Sequence, residues 1–359
     1  MKPAVPTVIV QKRLEVSRKV STVTSAFFIM LSFLVSGIIF EAMGVSAAET
    51  FIVIASIFAS PSLLLQAILR GLPIGLAALG LSVAFRMNFW NIGAEGQIYM
   101  GMFAATGVIL LHTFQGFLPS VLVFPAMLLA SFLAGGLYCL LPAILKAKLG
   151  VNEVLTTLMM NFIAILFVDY LVYGPWRDPE GFNFPLSIQF PDYARMGFLT
   201  GQASYEGLIM LIIFAALVYA IMQYTTVGFE FRVVGESPEV ARHSGISYAK
   251  TLLLGGLISG GLAGVAGFTV VSGLIGRLRP RASPGYGYTA IIVAFLATLN
   301  PWLIIPAGIF FGGLLVAGDV IQSTLDLPFA AVQIFQSVIF LFIIMGEFAK
   351  RYRIVIRFR

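Results

Sequence analysis

Between two long apolar runs the chain reads Arg86-Met87-Asn88-Phe89-Trp90-Asn91-Ile92-Gly93-Ala94-Glu95-Gly96-Gln97. Amides, a carboxylate and an arginine crowd into twelve residues of an otherwise greasy stretch. Gly93 and Gly96, three apart, permit a sharp turn or an unwound stretch. A carboxylate in apolar surroundings is costly unless paired or hydrated. Two readings stay open on composition. The segment is a short polar loop at a surface, or it is a break whose freed backbone and amides face a transport path. On the second reading Asn91 and Gln97 are hydrogen-bonding groups, Asn88 lies on the cavity wall, and Phe89 or Trp90 is an aromatic wall. Interfacial anchoring or core packing is the alternative for both rings. Glu95 reads as a structural pairing residue, with Arg86 its nearest basic neighbour.

A second polar set opens a later apolar run: Asn152, Glu153, Thr156, Thr157 and Asn161. Asn152, Thr156 and Asn161 fall along roughly one helical face. Asn152 is a good N-cap. Asn161 is too far into the helix for capping and is the better candidate for facing a cavity. A third feature is the polar loop Thr225–Lys250. Within it, Gly235-Glu236-Ser237-Pro238-Glu239-Val240-Ala241-Arg242-His243-Ser244-Gly245 predicts a helix of only two turns. Ser237 is the N-cap, Pro238 the first helical residue and Gly245 the stop. This short helix lacks the large apolar face that a lipid-bound helix needs, which favours docking onto a soluble partner.

The elements that must carry these residues follow from composition. Of 359 residues, 59% are hydrophobic and 11% charged, and the mean hydropathy is +0.97. Soluble domains carry about 25% charged residues, so a soluble enzyme is excluded. The expected fold is an all-α integral membrane protein. At about 20 apolar residues per span plus loops, roughly ten transmembrane helices fit, one of them broken or kinked. The predicted spans are Val20–Phe40, Phe51–Arg86, Gln97–His112, Phe117–Leu145, Glu153–Tyr173, Glu206–Tyr224, Thr251–Ser272, Tyr288–Leu299, Trp302–Gly318 and Ala330–Gly346. Phe51–Arg86, interrupted by Pro61, Gly71 and Pro73, is the broken one. Val20–Phe40 is read as a retained span rather than a cleaved signal, because it is long for a signal core and lacks a convincing cleavage site.

The formal net charge is +6, and its distribution excludes nucleic acid as a partner. Lys2, Lys12, Arg13, Arg18 and Lys19 cluster at one end; Lys350, Arg351, Arg353, Arg357 and Arg359 cluster at the other. Basic flanks mark the cytoplasmic side of a membrane. Residues 1–19 and 347–359 are therefore read as basic cytoplasmic tails around a transmembrane domain, 20–346, whose loop 225–250 is cytoplasmic. Two cytoplasmic termini require an even number of crossings. Lys146 and Lys148 place their loop inside as well, which holds if Phe51–Arg86 makes one net crossing. Gly174–Tyr205 then falls outside. So do Arg277, Arg279 and Arg281, against the charge rule. The lone Cys139 excludes an internal disulfide framework, and two histidines leave little for a metal. Gly256, Gly260 and Gly264, spaced by four, signal close helix packing inside the bundle.

Asn91–Gln97, together with Glu153-Val154-Leu155-Thr156-Thr157-Leu158-Met159-Met160-Asn161, resembles the permease subunits of bacterial ABC importers for nucleosides and simple sugars. That large family also includes ribose and branched-chain amino acid permeases, and the purine-nucleoside-type branch is the most similar. The likeness runs from about Leu72 to the C-terminus. Gly235–Ile246 resembles the family's coupling helix, so Gly235, Glu236, Ser237, Pro238, Glu239, Ala241, Arg242 and Gly245 are implied as the ATPase contact. The resemblance implies a substrate path near Asn88, Phe89, Trp90, Asn91, Glu95, Gln97, Asn152, Glu153, Thr156 and Asn161. It also implies cytosolic ABC ATPase subunits, a second and shorter permease in a heterodimer, and an extracytoplasmic substrate-binding lipoprotein or periplasmic protein. The setting it implies is the lipid of the bacterial cytoplasmic (inner) membrane. The family often has a small residue where Asn88 stands and a tyrosine near His243. The chain has no Gly-x-x-x-x-Gly-Lys-Ser/Thr stretch, so no cofactor is expected in it and ATP is expected on the partner ATPase. The competing class is an ion-coupled secondary transporter of a small polar solute, for which Glu95, Asp169 and Asp319 are available carboxylates. No catalytic constellation appears.

Overall fold

The computed structural model describes residues 6–12, 18–116, 118–197, 201–325 and 330–358. Lys2, Arg13 and Arg359 of the basic tails, Phe117 of one predicted span, and residues 198–200 of the long polar loop lie outside the described residues. The chain divides into two compact units, Met1–Ala59 with Leu314–Arg359, and Ser60–Gly313.

In the first unit, helices α1 (Arg18–Ala42), α2 (Ala47–Ala59) and α13 (Ala330–Arg351) pack together. Phe33 and Phe335 meet with ring centroids 5.6 Å apart, and Phe40 and Phe51 close the cluster. Strand β1 (Pro6–Lys12) pairs antiparallel with β2 (Tyr352–Phe358), Pro6 opposite Phe358 and Lys12 opposite Tyr352. That ribbon is the one departure from an all-helical chain among the described residues.

The second unit holds α3 (Pro61–Arg86), α4 (Ala94–Gln115), α5 (Ser120–Leu149), α6 (Glu153–Tyr173), α7 (Ala203–Tyr224), α8 (Thr226–Glu236), α9 (Pro238–His243), α10 (Tyr248–Thr269) and α11 (Tyr286–Leu296). The first half of α12 (Pro301–Leu325) completes it. Among the described residues, eight helices are long and apolar enough to cross a membrane, and Ala26–Ala42, α2 and α11 are shorter apolar helices. The long run predicted from Phe51 to Arg86 is broken at Ser60, where Pro61 opens α3. The predicted span Tyr288–Leu299 is corrected: α11 has only 11 residues, about 16 Å at 1.5 Å each, too short for a bilayer core of about 30 Å.

Helices α3 and α10 form the centre, with 83% and 78% of their apolar windows buried against 28% for α7. Small residues make this possible. A Cβ on Gly101 of α4 would lie 2.6 Å from the Gly264 Cα of α10, and one on Gly135 of α5 would lie 2.7 Å from the same atom. Three backbones therefore touch at Gly264, and no side chain fits between them. This is the bundle packing that the four-residue glycine spacing predicted. Past Thr269, α10 widens into a π-turn, Val270–Ile275, and stops at Gly276 with φ 75°.

Candidate functional site

Two stretches of the second unit leave helical geometry between apolar helices. The inner linker, 87–93, joins α3 to α4. The outer passage, 276–285, joins the π-turn to α11. Each has to satisfy backbone groups that a helix would have paired internally.

The inner linker turns at Asn88, whose φ of 53° lies in the left-handed region that asparagine tolerates. Asn91 is its hub and is fully buried. Its Nδ2 donates to Gln97 Oε1 at 2.9 Å and to Ser259 Oγ of α10 at 3.0 Å. Its Oδ1 accepts from Gln97 Nε2 at 2.9 Å and from the Gly93 N–H at 3.1 Å. Two donors and two acceptor positions are all an amide side chain has, so Asn91 is saturated. Asn161, also buried, reaches from the third turn of α6: its Oδ1 accepts from the Gly96 N–H at 2.8 Å, and its Nδ2 donates to the Ile92 carbonyl at 3.0 Å and to the Tyr288 hydroxyl at 3.2 Å. Thr157, one turn earlier on α6, accepts from the Ile92 N–H at 3.1 Å. The i, i+4 spacing of Thr157 and Asn161 is what lets one helix face hold two points of the linker.

Glu95 is buried, and its Oε2 accepts from the Gly287 N–H in the first turn of α11 at 2.7 Å. A carboxylate there satisfies orphan donors and opposes the positive end of the helix dipole. The expected pairing of Glu95 with Arg86 is corrected: Arg86 Nη2 donates to the Leu299 carbonyl at 2.9 Å, in the turn that closes α11. The two charges thus hold opposite ends of one short helix, each at the end its sign favours.

Phe89 is buried, whereas Trp90 is 42% and Tyr288 38% exposed. Trp90 stacks on Phe295 (5.9 Å, 25°), which stacks in turn on Phe85 (5.1 Å, 18°). Glu153 accepts the Trp90 N–H at 3.4 Å and pairs with Lys146. Asn152 caps α6, accepting from Val154 N at 2.9 Å, and the Thr156 hydroxyl donates back to the Asn152 carbonyl at 3.0 Å. Asn88 donates from Nδ2 to the Gly235 carbonyl at the end of α8. The linker therefore touches the root of the predicted docking helix.

That helix is α9. Ser237 accepts from the Val240 N–H at 3.3 Å, Pro238 opens the helix, and Gly245 follows it with φ 78°. Glu236, Pro238, Glu239, Val240, Arg242, His243 and Gly245 are exposed, while Ala241 is buried. The Thr251 hydroxyl donates to Glu230 at 3.2 Å, and Arg232 donates to the Met222 carbonyl, fixing α8 to its neighbours.

The structure thus brings Asn88, Trp90, Asn91, Glu95, Gln97, Glu153 and Asn161 into one connected region, with Asn152 and Thr156 at its rim. It adds Ser259, Tyr288, Gly287 and Lys146, which sequence reasoning did not assign to the site. The signal for Ser259 was available: it is the one hydroxyl in the glycine-rich middle of α10.

Broken spans around a buried polar network, with an exposed two-turn helix at one end, define a multi-pass membrane protein built for solute passage. The chain belongs to the branched-chain amino acid transport system / permease component family, which matches residues 63–345. It is 33% identical to a glucose ABC transporter permease protein of Haloferax volcanii, over 93% of this chain and 90% of that one. It is 30% identical to a guanosine ABC transporter permease protein of Bacillus subtilis (78% and 82% covered). A nucleoside ABC transporter permease protein of Lactococcus lactis is also 30% identical (68% and 67%). The chain is an ABC permease subunit, a transport component and not an enzyme, and such a subunit works with ATPase and substrate-binding partners.

Proposed function

We propose that this chain forms the membrane path of an ATP-driven importer for a nucleoside or a simple sugar, with α9 seated on a cytosolic ATPase subunit. The observation that carries the reading is α9 itself: a capped two-turn helix, exposed on nearly every residue, held rigidly between α8 and α10. Exposed polar and charged residues on so short a helix suit a protein groove better than lipid. The cargo class comes from the relatives, which are named for glucose, guanosine and nucleosides.

ATP binds the partner, and closure of two ATPase subunits displaces α9. The spans then rock between outward and inward openings, a movement that needs two packings rather than elastic strain. Trp90 and Tyr288, with their exposed ring faces, are the residues we assign to cargo contact; Asn88, Asn152 and Thr156 line the rim. Asn91, Glu95, Gln97 and Asn161 support that wall from behind. The partner set is a second, shorter permease in a heterodimer and an extracytoplasmic binding lipoprotein or periplasmic protein docking on 174–205. Both termini are cytoplasmic in the bacterial inner membrane. Their basic charge supports this, and the β1–β2 pairing favours one side for both.

Two measurements test the reading. Co-expressed with its cognate ATPase and second permease, the chain should carry both through purification, and a version with residues 237–245 scrambled should lose the ATPase. Vesicles holding the complete importer should take up labelled guanosine or glucose only with ATP and the receptor. Uptake driven by a proton or sodium gradient without ATP would overturn the proposal.

A further inference from the structure

Lys146 has no part in the function proposed above, yet its ammonium is the point where α5, the inner linker and α6 meet. It stands in the last turn of α5, half-buried. Its Nζ donates to the Asn88 carbonyl at 2.8 Å, pairs with Glu153 Oε1 at the start of α6, and lies 5.6 Å from the Phe89 ring centroid. Asn88 carries the connection onward, through its Nδ2, to the Gly235 carbonyl, two residues before the Ser237 cap of α9. Glu153 carries it the other way, accepting the Trp90 N–H at 3.4 Å. There is no room for slack at the α8 contact. A Cβ on Gly235 would meet the Arg86 carbonyl carbon at 2.9 Å and the Met87 Cα at 3.2 Å.

We propose that Lys146 is a positioning residue that braces the inner linker, itself bonded to the root of α9 through Asn88, against α5 and Glu153, so that displacement of α9 moves Trp90 instead of being absorbed in the loop. This rests on the reading that α9 seats on the ATPase. An ammonium suits the task because it offers several donors from one point, to a carbonyl and a carboxylate on different elements, while its charge faces an aromatic ring. Without it Glu153 loses its cation and the Asn88–Phe89 end of the linker loses its tie to α5, while the Asn88–Gly235 bond and the Ile92 bonds to α6 remain.

The test uses the full complex in lipid nanodiscs. Trp176→Phe and Trp302→Phe leave Trp90 as the sole tryptophan, because the chain has three. Trapping with Mg-ATP and vanadate should shift Trp90 emission in this background. With Lys146→Met added, the shift should vanish while the ATPase stays bound and hydrolyses ATP within about twofold of the parent rate. Lys146→Arg, which keeps the charge and a fork of donors, should restore the shift. Asn88→Ala, which removes the Nδ2 bond to Gly235 and keeps the carbonyl that accepts from Lys146, cuts the next link of the same chain and should also abolish it, and a shift that persists there decides against the proposal even if Lys146→Met does not reach the membrane. A shift that persists in Lys146→Met or in Asn88→Ala overturns the proposal. So does a parent that shows no shift, or a Lys146→Met chain that releases the ATPase. If the parent never holds the ATPase, it is the seating of α9 that fails.

Discussion

The inner linker and the outer passage solve the same problem with different atoms. Both carry non-helical backbone between apolar helices; the inner linker leads into α4 and the outer passage into α11. The inner linker is held by side chains: Asn91, Gln97, Thr157, Asn161 and Lys146 reach its backbone or one another from α4, α5 and α6, and Ser259 joins from α10. The outer passage adds main-chain pairing with 187–190 to its side-chain bonds. Ser187 N–H donates to the Leu278 carbonyl at 3.0 Å, and Phe190 N–H donates to the Gly276 carbonyl at 2.8 Å. Leu278 N–H returns a bond to the Ser187 hydroxyl at 2.9 Å, and Met196 N–H reaches Ser272 at 3.1 Å. Backbone pairing survives most substitutions, because every residue but proline supplies the same groups. Side-chain pairing does not. The inner linker should therefore be the sensitive element, and the outer one tolerant.

The contrast breaks first, if it breaks, at Asn91. Asn91→Ala removes four hydrogen bonds and leaves Gln97, Ser259 and the Gly93 N–H without their partner in a buried site. At about 1–3 kcal/mol per stranded buried group, partly relieved by rearrangement, a loss of about 3 kcal/mol is expected. SDS titration of the purified protein would measure it. Glu95→Ala comes next. It strands the Gly287 N–H at the start of α11, and the expected loss is about 2 kcal/mol. Glu95→Gln keeps an acceptor and should recover about half of that loss. If Glu95→Ala were neutral, α11 would be held by packing alone and its two charged ends would be incidental.

How much of this was legible in the sequence differs by element for a physical reason. Helices α6 and α9 begin where Asn152 and Ser237-Pro238 predict, because a cap acts on the next three residues and leaves its mark locally. The polar break at 86–97 was visible as composition, and the glycine spacing on α10 as packing. The partners were not visible. Glu95 meets Gly287 across 192 residues, and Asn91 meets Ser259 across 168. Such pairings leave no local periodicity. The length of α11 failed for the same reason. Residues 288–299 read as one apolar span; the helix instead runs 286–296, capped at its start by Glu95 and Ser283 and ended before the left-handed Thr298 and Leu299. The Ser283 hydroxyl accepts from the Tyr286 N–H at 3.0 Å. Proximity in sequence misled for Arg86 and Glu95, which are neighbours in the chain yet sit at opposite ends of the same helix.

The outer passage supplies the smaller effects that complete the comparison. Ser187→Ala removes one acceptor from the Leu278 N–H but leaves the reciprocal main-chain bond in place, so a loss of about 1 kcal/mol is expected. Arg277→Ala is the mildest. Its guanidinium donates to Gln189 Oε1 at 3.0 Å on the surface, where water replaces the lost bond. Its neighbour Leu278 keeps its main-chain bond to Ser187 and its N–H bond to the Ser187 hydroxyl whatever side chain stands at 277. The same SDS titration should return a change within about 0.5 kcal/mol. Were Arg277→Ala to cost as much as Glu95→Ala, the outer passage would depend on its side chains as the inner linker does. The three arginines that stand against the charge rule would then need a structural explanation of their own.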